Sequence, residues 1–320
     1  HYSSCVYSIE FIVFYEEDRV VGVAPLYIKQ AQNFELRFIC TGENEEDEVF
    51  SERLDFIVAD EFEDSVVSIF MKYLDDRDKI WSKIIINNYM EDSFINKYLF
   101  PVLLRFKYSV YSHREGFRYT LDLPESSDEF FKVKKGSFYN GLKRKSRQLK
   151  KLDGFSCYVV SDQSELEKNM DDIKILHNNR WNRSEIRGAF ESDVYFEFHK
   201  ELAGRLLKND QLFLLVVKIN DSVISVVYGF IFNEVLSFYQ SGYTVTQYSK
   251  LSIGSVSHLL AIDIAINKKL KTYDFMFGSD DSYKNKFKCV TENMCRCEIY
   301  KPGISGKMKI FLDKMHIHVN

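Results

Sequence analysis

The sequence predicts an α/β protein made of two related units in tandem, each a mixed, mostly antiparallel sheet flanked by helices. Three observations carry this. The chain is 320 residues long, about two domains at roughly 150 residues each. One order of elements (strand, turn, strand, strand, helix, strand, helix, strand) is met twice. Two short segments also align at the same places in both passages.

In the first passage, Phe11 to Phe14 leads through the acidic turn Glu16-Glu17-Asp18-Arg19 into Val20 to Ile28, then Leu36 to Cys40. A helix from about Phe62 to Leu74, a strand Ile84 to Asn87, a helix from about Phe94 to Leu104 and a strand Tyr108 to Tyr111 follow. The second passage runs from Leu212 to Lys218, turns at Asn220-Asp221 into Val223 to Phe232, and continues as Val235 to Tyr243. A helix from about Gly254 to Lys268, a strand Tyr273 to Met276, a short helix from Tyr283 and a strand Met294 to Tyr300 complete it.

Asp18-Arg19-Val20-Val21 aligns with Asp221-Ser222-Val223-Ile224, and Glu91 to Tyr98 aligns with Asp280 to Phe287. Only the second unit has a front section: a strand Phe117 to Leu123, a basic helix around Gly141 to Leu152, a strand Phe155 to Val160 and a helical stretch from about Ser164 to Leu207. The expected units are therefore residues 1–115, truncated or degenerate, and residues 116–320.

Composition narrows the class. With 45% hydrophobic residues the chain can bury a proper core, and 4 Pro with 14 Gly leave no low-complexity linker. A net charge of -4 supplies no global pull toward nucleic acid or anionic membrane, so an anion site has to be local. The longest apolar run, Leu212 to Val217, is far short of the ~18 residues of a membrane span, which predicts a soluble protein. Cys5, Cys40, Cys157, Cys289, Cys295 and Cys297 are expected as free thiols in a reducing cytoplasm. His1 follows no basic-then-apolar leader, so no secretory signal is expected, and a start without Met reads as processed or trimmed.

Leu176-His177-Asn178-Asn179-Arg180-Trp181, the passage from Ser241-Gly242-Tyr243 through Lys250-Leu251-Ser252-Ile253-Gly254, and Tyr273-Asp274-Phe275-Met276-Phe277-Gly278 followed by Tyr283-Lys284 carry a family likeness. With Val23-Ala24-Pro25-Leu26-Tyr27 in the first unit, they make the chain resemble the CelD/BioF-like branch of the GNAT acyltransferases, related to the tandem FemABX transferases. The resemblance implies acyl-CoA as co-substrate; no metal is expected, on the spacing given below.

On that likeness the pantetheine arm pairs with the free edge of the third hairpin strand, around Tyr239, Gln240 and Ser241. The loop Lys250-Leu251-Ser252-Ile253-Gly254-Ser255 suits pyrophosphate, since a helix N-terminus offers unpaired N–H groups, and this one brings small residues, a cation and no carboxylate. It is also an ordinary Ser/Gly helix start. The family pattern has a second glycine where this loop keeps only Gly254. The matching start in the first unit, Asp60-Glu61-Phe62-Glu63-Asp64, would repel phosphate, which assigns the donor to the second unit.

Acyl transfer to an amine needs a proton for the leaving group and a deprotonated amine. Tyr283 is the candidate acid, because the aligned residue of the first unit is Phe94; the alternative is that it simply packs. Asp274 and His258 are the candidate bases, with a water chain as the alternative. By resemblance His177, Arg180 and Trp181 face the acceptor, and Lys284 contacts it or the oxyanion; a core Trp with a surface Arg, and a solvated Lys, are the competing readings. Residues 132 to 151 hold nine basic side chains, Lys143, Arg144 and Arg147 among them, and no acidic one. They form either a solvated face, a clamp for a phosphorylated ligand, or a weak nucleic-acid patch, the last weakened by having only Phe138 and Tyr139 as aromatics.

Cys289, Cys295 and Cys297 with His316 and His318 have no zinc-like spacing, and Gly254-Ser255-Val256-Ser257-His258 is no nucleophile elbow. Direct transfer from acyl-CoA to a nucleotide-linked amino sugar, for surface-polysaccharide (O-antigen) assembly, is thus the leading expectation. A FemABX-like aminoacyl transferase is the alternative enzyme, which requires the basic run to form a broad patch. A catalytically inactive GNAT scaffold is the alternative of another class.

Overall fold

The computed structural model of the protein describes residues 6–30, 34–182, 187–245 and 248–303, so Cys5, His316 and His318 lie outside the described residues. The backbone divides into two compact units, residues 118–291 on one hand and residues 6–117 with 292–303 on the other.

The amino-terminal unit opens on the antiparallel hairpin of β1 (Val6–Glu16) and β2 (Arg19–Gln30), which pairs Phe14 with Gly22 and turns at Glu17, φ 51°. β3 (Phe34–Phe38) and the two-residue β4 (Ile57–Val58) pair with β2. α1 (Glu63–Asp76) buries Val66, Val67, Phe70 and Leu74, a stripe at helical spacing, against this sheet's core. β5 (Lys83–Met90) then lies parallel to β3, Glu35 opposite Lys83. A π turn (Ile95–Leu99) runs into α2 (Phe100–Arg105), so the helix expected from Phe94 to Leu104 is two short pieces, with Pro101 opening the second. β6 (Ser109–Asp122) joins the two strands expected at Tyr108 to Tyr111 and Phe117 to Leu123.

In the unit of residues 118–291, α3 (Ser127–Val133), capped by the Ser126 hydroxyl on Glu129 N–H, was not expected from the sequence. α4 (Ser137–Lys150) is the basic helix; it buries Tyr139, Leu142, Ser146 and Leu149 and exposes Arg144, Arg147 and Lys150. β7 (Phe155–Val159) leads to α5 (Gln163–Asn182) and α6 (Asp193–Lys208). The single helical stretch expected to Leu207 is thus two helices. Gly188 is extended at φ -73°, ψ 144°, packed so closely that a Cβ would strike Asn178, and the Ser192 hydroxyl starts α6 afresh by accepting from Tyr195 N–H.

β8 (Leu212–Ile219), β9 (Ser222–Phe232) and β10 (Val235–Tyr243) form an antiparallel meander, and the first six residues of β8 are buried on both faces. α7 (Ile253–Asn267) is mostly apolar and buries most of its residues, with Asp263 and Asn267 reaching the surface. β11 (Thr272–Gly278), a short 3-10 turn (Tyr283–Phe287) and β12 (Val290–Tyr300) complete the described chain.

Within the amino-terminal unit the strand order is β1-β2-β3-β5-β12-β6, and within residues 118–291 it is β6-β11-β10-β9-β8-β7. In each unit the strands are mixed in direction, mostly antiparallel, and flanked by helices. No helix among the described residues is long and apolar enough to cross a membrane, and Cys40, Cys157, Cys289, Cys295 and Cys297 are free thiols.

Candidate active site

The site forms where β10 and β11 part. They pair in parallel only from Val235 opposite Thr272 to Ser237 opposite Asp274, although β10 runs on to Tyr243. Two devices open the gap. A bulge in β10 between Phe238 and Gln240 turns the strand against β9. On the other side Met276 takes a left-handed φ of 60°, held by its N–H on Asp274 Oδ1 at 2.7 Å, while Asp274 Oδ2 pairs with Arg118 Nε at 2.8 Å. Lys284 Nζ then collects the carbonyls of Phe275 (2.5 Å), Met276 (3.4 Å) and Phe277. The backbone acceptors of β11 are thereby occupied without β10.

His258, on α7, is walled in by the rings of Phe238, Phe275, Phe287, Tyr273 and Tyr283. Its Nδ1 lies 2.8 Å from the Tyr273 hydroxyl and its Nε2 2.9 Å from the Tyr283 hydroxyl. Burial, helped by the charges of Lys284 and Arg180, holds the imidazole down to about 3, so it is neutral at pH 7. The Tyr283 ring is 40% exposed at its edge while its hydroxyl turns inward; burial pushes the phenol up, with Arg180 opposing.

Arg180 is the cation beside this phenol. Its guanidinium sits 4.8 Å from the Trp181 ring and 4.7 Å from the Tyr243 ring. His177, buried, holds the last turns of α5 to the end of β10. Its Nδ1 is 2.9 Å from Ser241 O, its Nε2 is 3.4 Å from Ala189 N–H, and burial lowers its pKa to about 4. His177 thus sets the position of α5, on which Arg180 and Trp181 stand.

At the start of α7, Lys250 is exposed, Leu251 and Ser255 are half-buried, Ile253 is buried, and Ser252 adopts φ 52°. No side chain caps the first turn of α7 and no acidic residue stands in it. Lys145 of α4 donates to Ser252 Oγ at 2.6 Å, adding a cation to the positive end of the helix. The bare face of Gly254 is covered by the Tyr243 ring, 2.6 Å from where a Cβ would stand. That glycine lets an aromatic ring close over the loop.

Of the three β10 residues expected along the donor, Ser241 offers its carbonyl to His177. Tyr239 points its hydroxyl at Tyr195 (3.0 Å) and His199 (3.1 Å), and Gln240 lies near Tyr195 as well. Lys143 rests 4.3 Å over the Phe131 ring, and Lys143, Arg144, Arg147 and Lys151 stand along one face of the basic helix.

The structure therefore brings Tyr283, His258, Arg180 and the Lys250–Ser255 loop together, and gives Asp274, Lys284 and His177 internal partners. Four residues of the site were not read from the sequence: Tyr273, Tyr243, Arg118 and Lys145. Lys145 was hidden in a uniform basic run, and its separation by helical phase from the outward cations was the available signal. Among the described residues no cluster of His, Cys, Asp and Glu could hold a metal ion.

Residues 136–285 match the acetyltransferase (GNAT) domain family, a family of transferases. No curated protein matches the chain. Among solved structures, FemX superposes with a TM-score of 0.62 at 11% identity, covering 90% of this chain and 87% of that one. L-PGS from Bacillus licheniformis gives 0.55 at 12% identity, covering 94% and 88%. The C-terminal domain of a putative lysylphosphatidylglycerol synthetase from Agrobacterium fabrum gives 0.53 at 12% identity, covering 94% and 87%. The protein thus has a GNAT-like fold, and the matched domain contains Tyr283, His258, Arg180 and the α7 start.

Proposed function

We propose that the unit of residues 118–291 is an aminoacyl transferase that takes its aminoacyl group from an ester on RNA and passes it to an amine. The observation that carries this is the placing of Lys145 on the uncapped start of α7 by a helix whose cations Lys143, Arg144, Arg147 and Lys151 stand along one face. That arrangement suits a chain of phosphates better than one pyrophosphate. Residues 118–291 hold 26 Lys and Arg against 22 Asp and Glu, while the whole chain is at -4, so the positive charge gathers in this unit. The fold shared with FemX and with the lysylphosphatidylglycerol synthetases supports aminoacyl over acetyl transfer.

The chemistry follows the site. The amine attacks the ester carbonyl, the C–N bond forms, the C–O bond breaks, and the departing ribose alkoxide takes the proton of Tyr283. The amine gives its proton to solvent, which restores the phenol. A phenol raised by burial is a weak acid for a thiolate near pKa 8.5 and a closer match to an alkoxide.

A second reading keeps acyl-CoA as donor and a nucleotide-linked amino sugar as acceptor. The acetyltransferase domain match and the uncapped α7 start, both compatible with pyrophosphate, favour it. In either case we take residues 1–115 as a degenerate copy of the catalytic unit within 116–320. Asn96 Nδ2 donates to Glu91 O and Asn285 Nδ2 to Asp280 O, both at 2.7 Å, in the two segments that align in sequence. The two hairpins turn at Glu17 and Asn220, φ 51° and 52°, one residue before the aligned aspartates.

The test is one protein preparation offered two donors. Binding of aminoacyl-tRNA is measured against salt, and acetyl-CoA binding by calorimetry. A slope of log K on log salt that shrinks when Arg144 and Arg147 become Ala, with loss of the aminoacyl ester that depends on Tyr283, supports the first reading. Acetyl-CoA binding without tRNA binding, and release of thiol with a nucleotide-linked amino sugar, supports the second. Binding without turnover of either donor would indicate the inactive scaffold.

A further inference from the structure

We propose that Tyr273 is a positioning residue that fixes the tautomer of His258, so that Nε2–H donates to the Tyr283 oxygen and leaves the Tyr283 proton free to be given away. Its catalytic consequence rests on the transfer reading above; the tautomer itself does not.

Both ring nitrogens of His258 meet phenols, 2.8 Å to Tyr273 and 2.9 Å to Tyr283, and the rest of its surroundings are the rings of Phe238, Phe275 and Phe287. A neutral imidazole has one donor and one acceptor, so one phenol must donate to it and the other must accept. The two phenols differ in what else their protons can reach. Tyr273 is fully buried, at 0% exposure, and His258 Nδ1 is the partner of its hydroxyl among the described residues. If Nδ1 carried the hydrogen, the Tyr273 proton would be stranded in an aromatic pocket. Tyr283 is 40% exposed against 0% for Tyr273, so although its hydroxyl turns inward it is the phenol of the two that lies nearer to solvent or to a leaving group.

The cost of a stranded buried hydroxyl favours the arrangement Tyr273 O–H to Nδ1, Nε2–H to Tyr283 Oη by roughly 5- to 150-fold. In that tautomer, when the Tyr283 O–H bond breaks and its proton passes to the departing oxygen, the phenolate left behind already receives a hydrogen bond from Nε2–H. Among the described residues no carboxylate touches His258; the cations Arg180 and Lys284 face it, and they also resist its protonation.

The decisive measurement is long-range ¹⁵N–¹H correlation on protein labelled at histidine nitrogens, which needs no substrate. A protonated, pyrrole-type Nε2 and a pyridine-type Nδ1 on His258, unchanged from pH 8 to pH 5.5, is the expected pattern. A pyrrole-type Nδ1, or an imidazolium in that range, overturns the proposal. In Tyr273→Phe the preference should fall to a mixture of tautomers, with kcat for transfer down about 10-fold or more and donor affinity unchanged. A single Nε2–H tautomer persisting in that variant would remove Tyr273 from the role. If no transfer is found with any donor, the wild-type spectrum still decides the tautomer.

Discussion

Asp274 lies within the candidate site, and its neutralisation separates a structural role from a catalytic one. In Asp274→Asn the shape is kept and an amide oxygen can still accept from Met276 N–H, but Arg118 loses its carboxylate. The pair is deeply buried, with side chains 1% and 16% exposed and Nε to Oδ2 at 2.8 Å. Removing one charge of such a buried pair costs up to about 3–5 kcal/mol. For a unit the size of residues 118–291, about 2–4 °C is lost per kcal/mol, so its melting should fall by roughly 6–20 °C. Scanning calorimetry reads this, with Arg118→Met/Asp274→Asn as the control, because removing both charges should return most of the loss. A drop of under about 2 °C would refute the reasoning, as would a double variant no more stable than the single one. If stability holds while kcat collapses, Asp274 is instead the base of the reaction.

Further outcomes follow from the same contacts. Tyr283→Phe should lower turnover by about 10²–10⁴ with donor affinity nearly intact, measured in single-turnover transfer. Lys284→Met strands the carbonyls of Phe275, Met276 and Phe277 and should destabilise the unit by about 1–3 kcal/mol per acceptor left dry, read as a shift in urea midpoint. Gly254→Ala should displace the Tyr243 ring and weaken donor binding, whereas Lys145→Ala should weaken it with no change in melting, both read by calorimetry. His177, His199 and His258 are held by burial at about 4, 3 and 3, below the ~6.5 of an unfolded histidine. The unfolded chain therefore binds the extra protons as pH falls from 6.5 toward 4. These three groups stabilise fully above 6.5 and together lose about 4 kcal/mol per pH unit well below it. Denaturation at pH 7 and pH 5 measures this, and replacing His199 with Gln should flatten the slope by about a third.

The strands of the fold were legible because their apolar runs are bounded by strong turns. Leu212 to Lys218 and Val223 to Phe232 emerge as β8 and β9 within one residue or so, on either side of Asn220-Asp221. The helical regions were less legible where a tertiary contact decides. The break before α6 depends on Gly188 packed against Asn178, a contact between residues ten apart in sequence. α3 is only seven residues long, and its Phe130 and Phe131 were absorbed into the approach to the basic run.

In the candidate site, residue types could be read but their partners could not. Tyr283 stood out because Phe94 occupies the aligned place, and the structure gives its hydroxyl to a histidine also named from the sequence, 25 residues earlier. What escaped was Tyr273, which a strand pattern reads as one more core aromatic; only the meeting of α7 with β11 shows that its hydroxyl has a nitrogen to serve. Lys284 shows the opposite limit. Beside Tyr283 it reads as a cation for the acceptor, yet the left-handed turn at Met276 bends β11 so that three carbonyls converge on its ammonium. A positive charge so engaged keeps the gap between β10 and β11 open, and any acceptor drawing on it would first have to replace those bonds. On the transfer reading proposed above, a phosphate-bearing donor would therefore meet Lys145 and Arg180 rather than Lys284: one cation meets a hydroxyl at a helix start and the other lies between two aromatic rings.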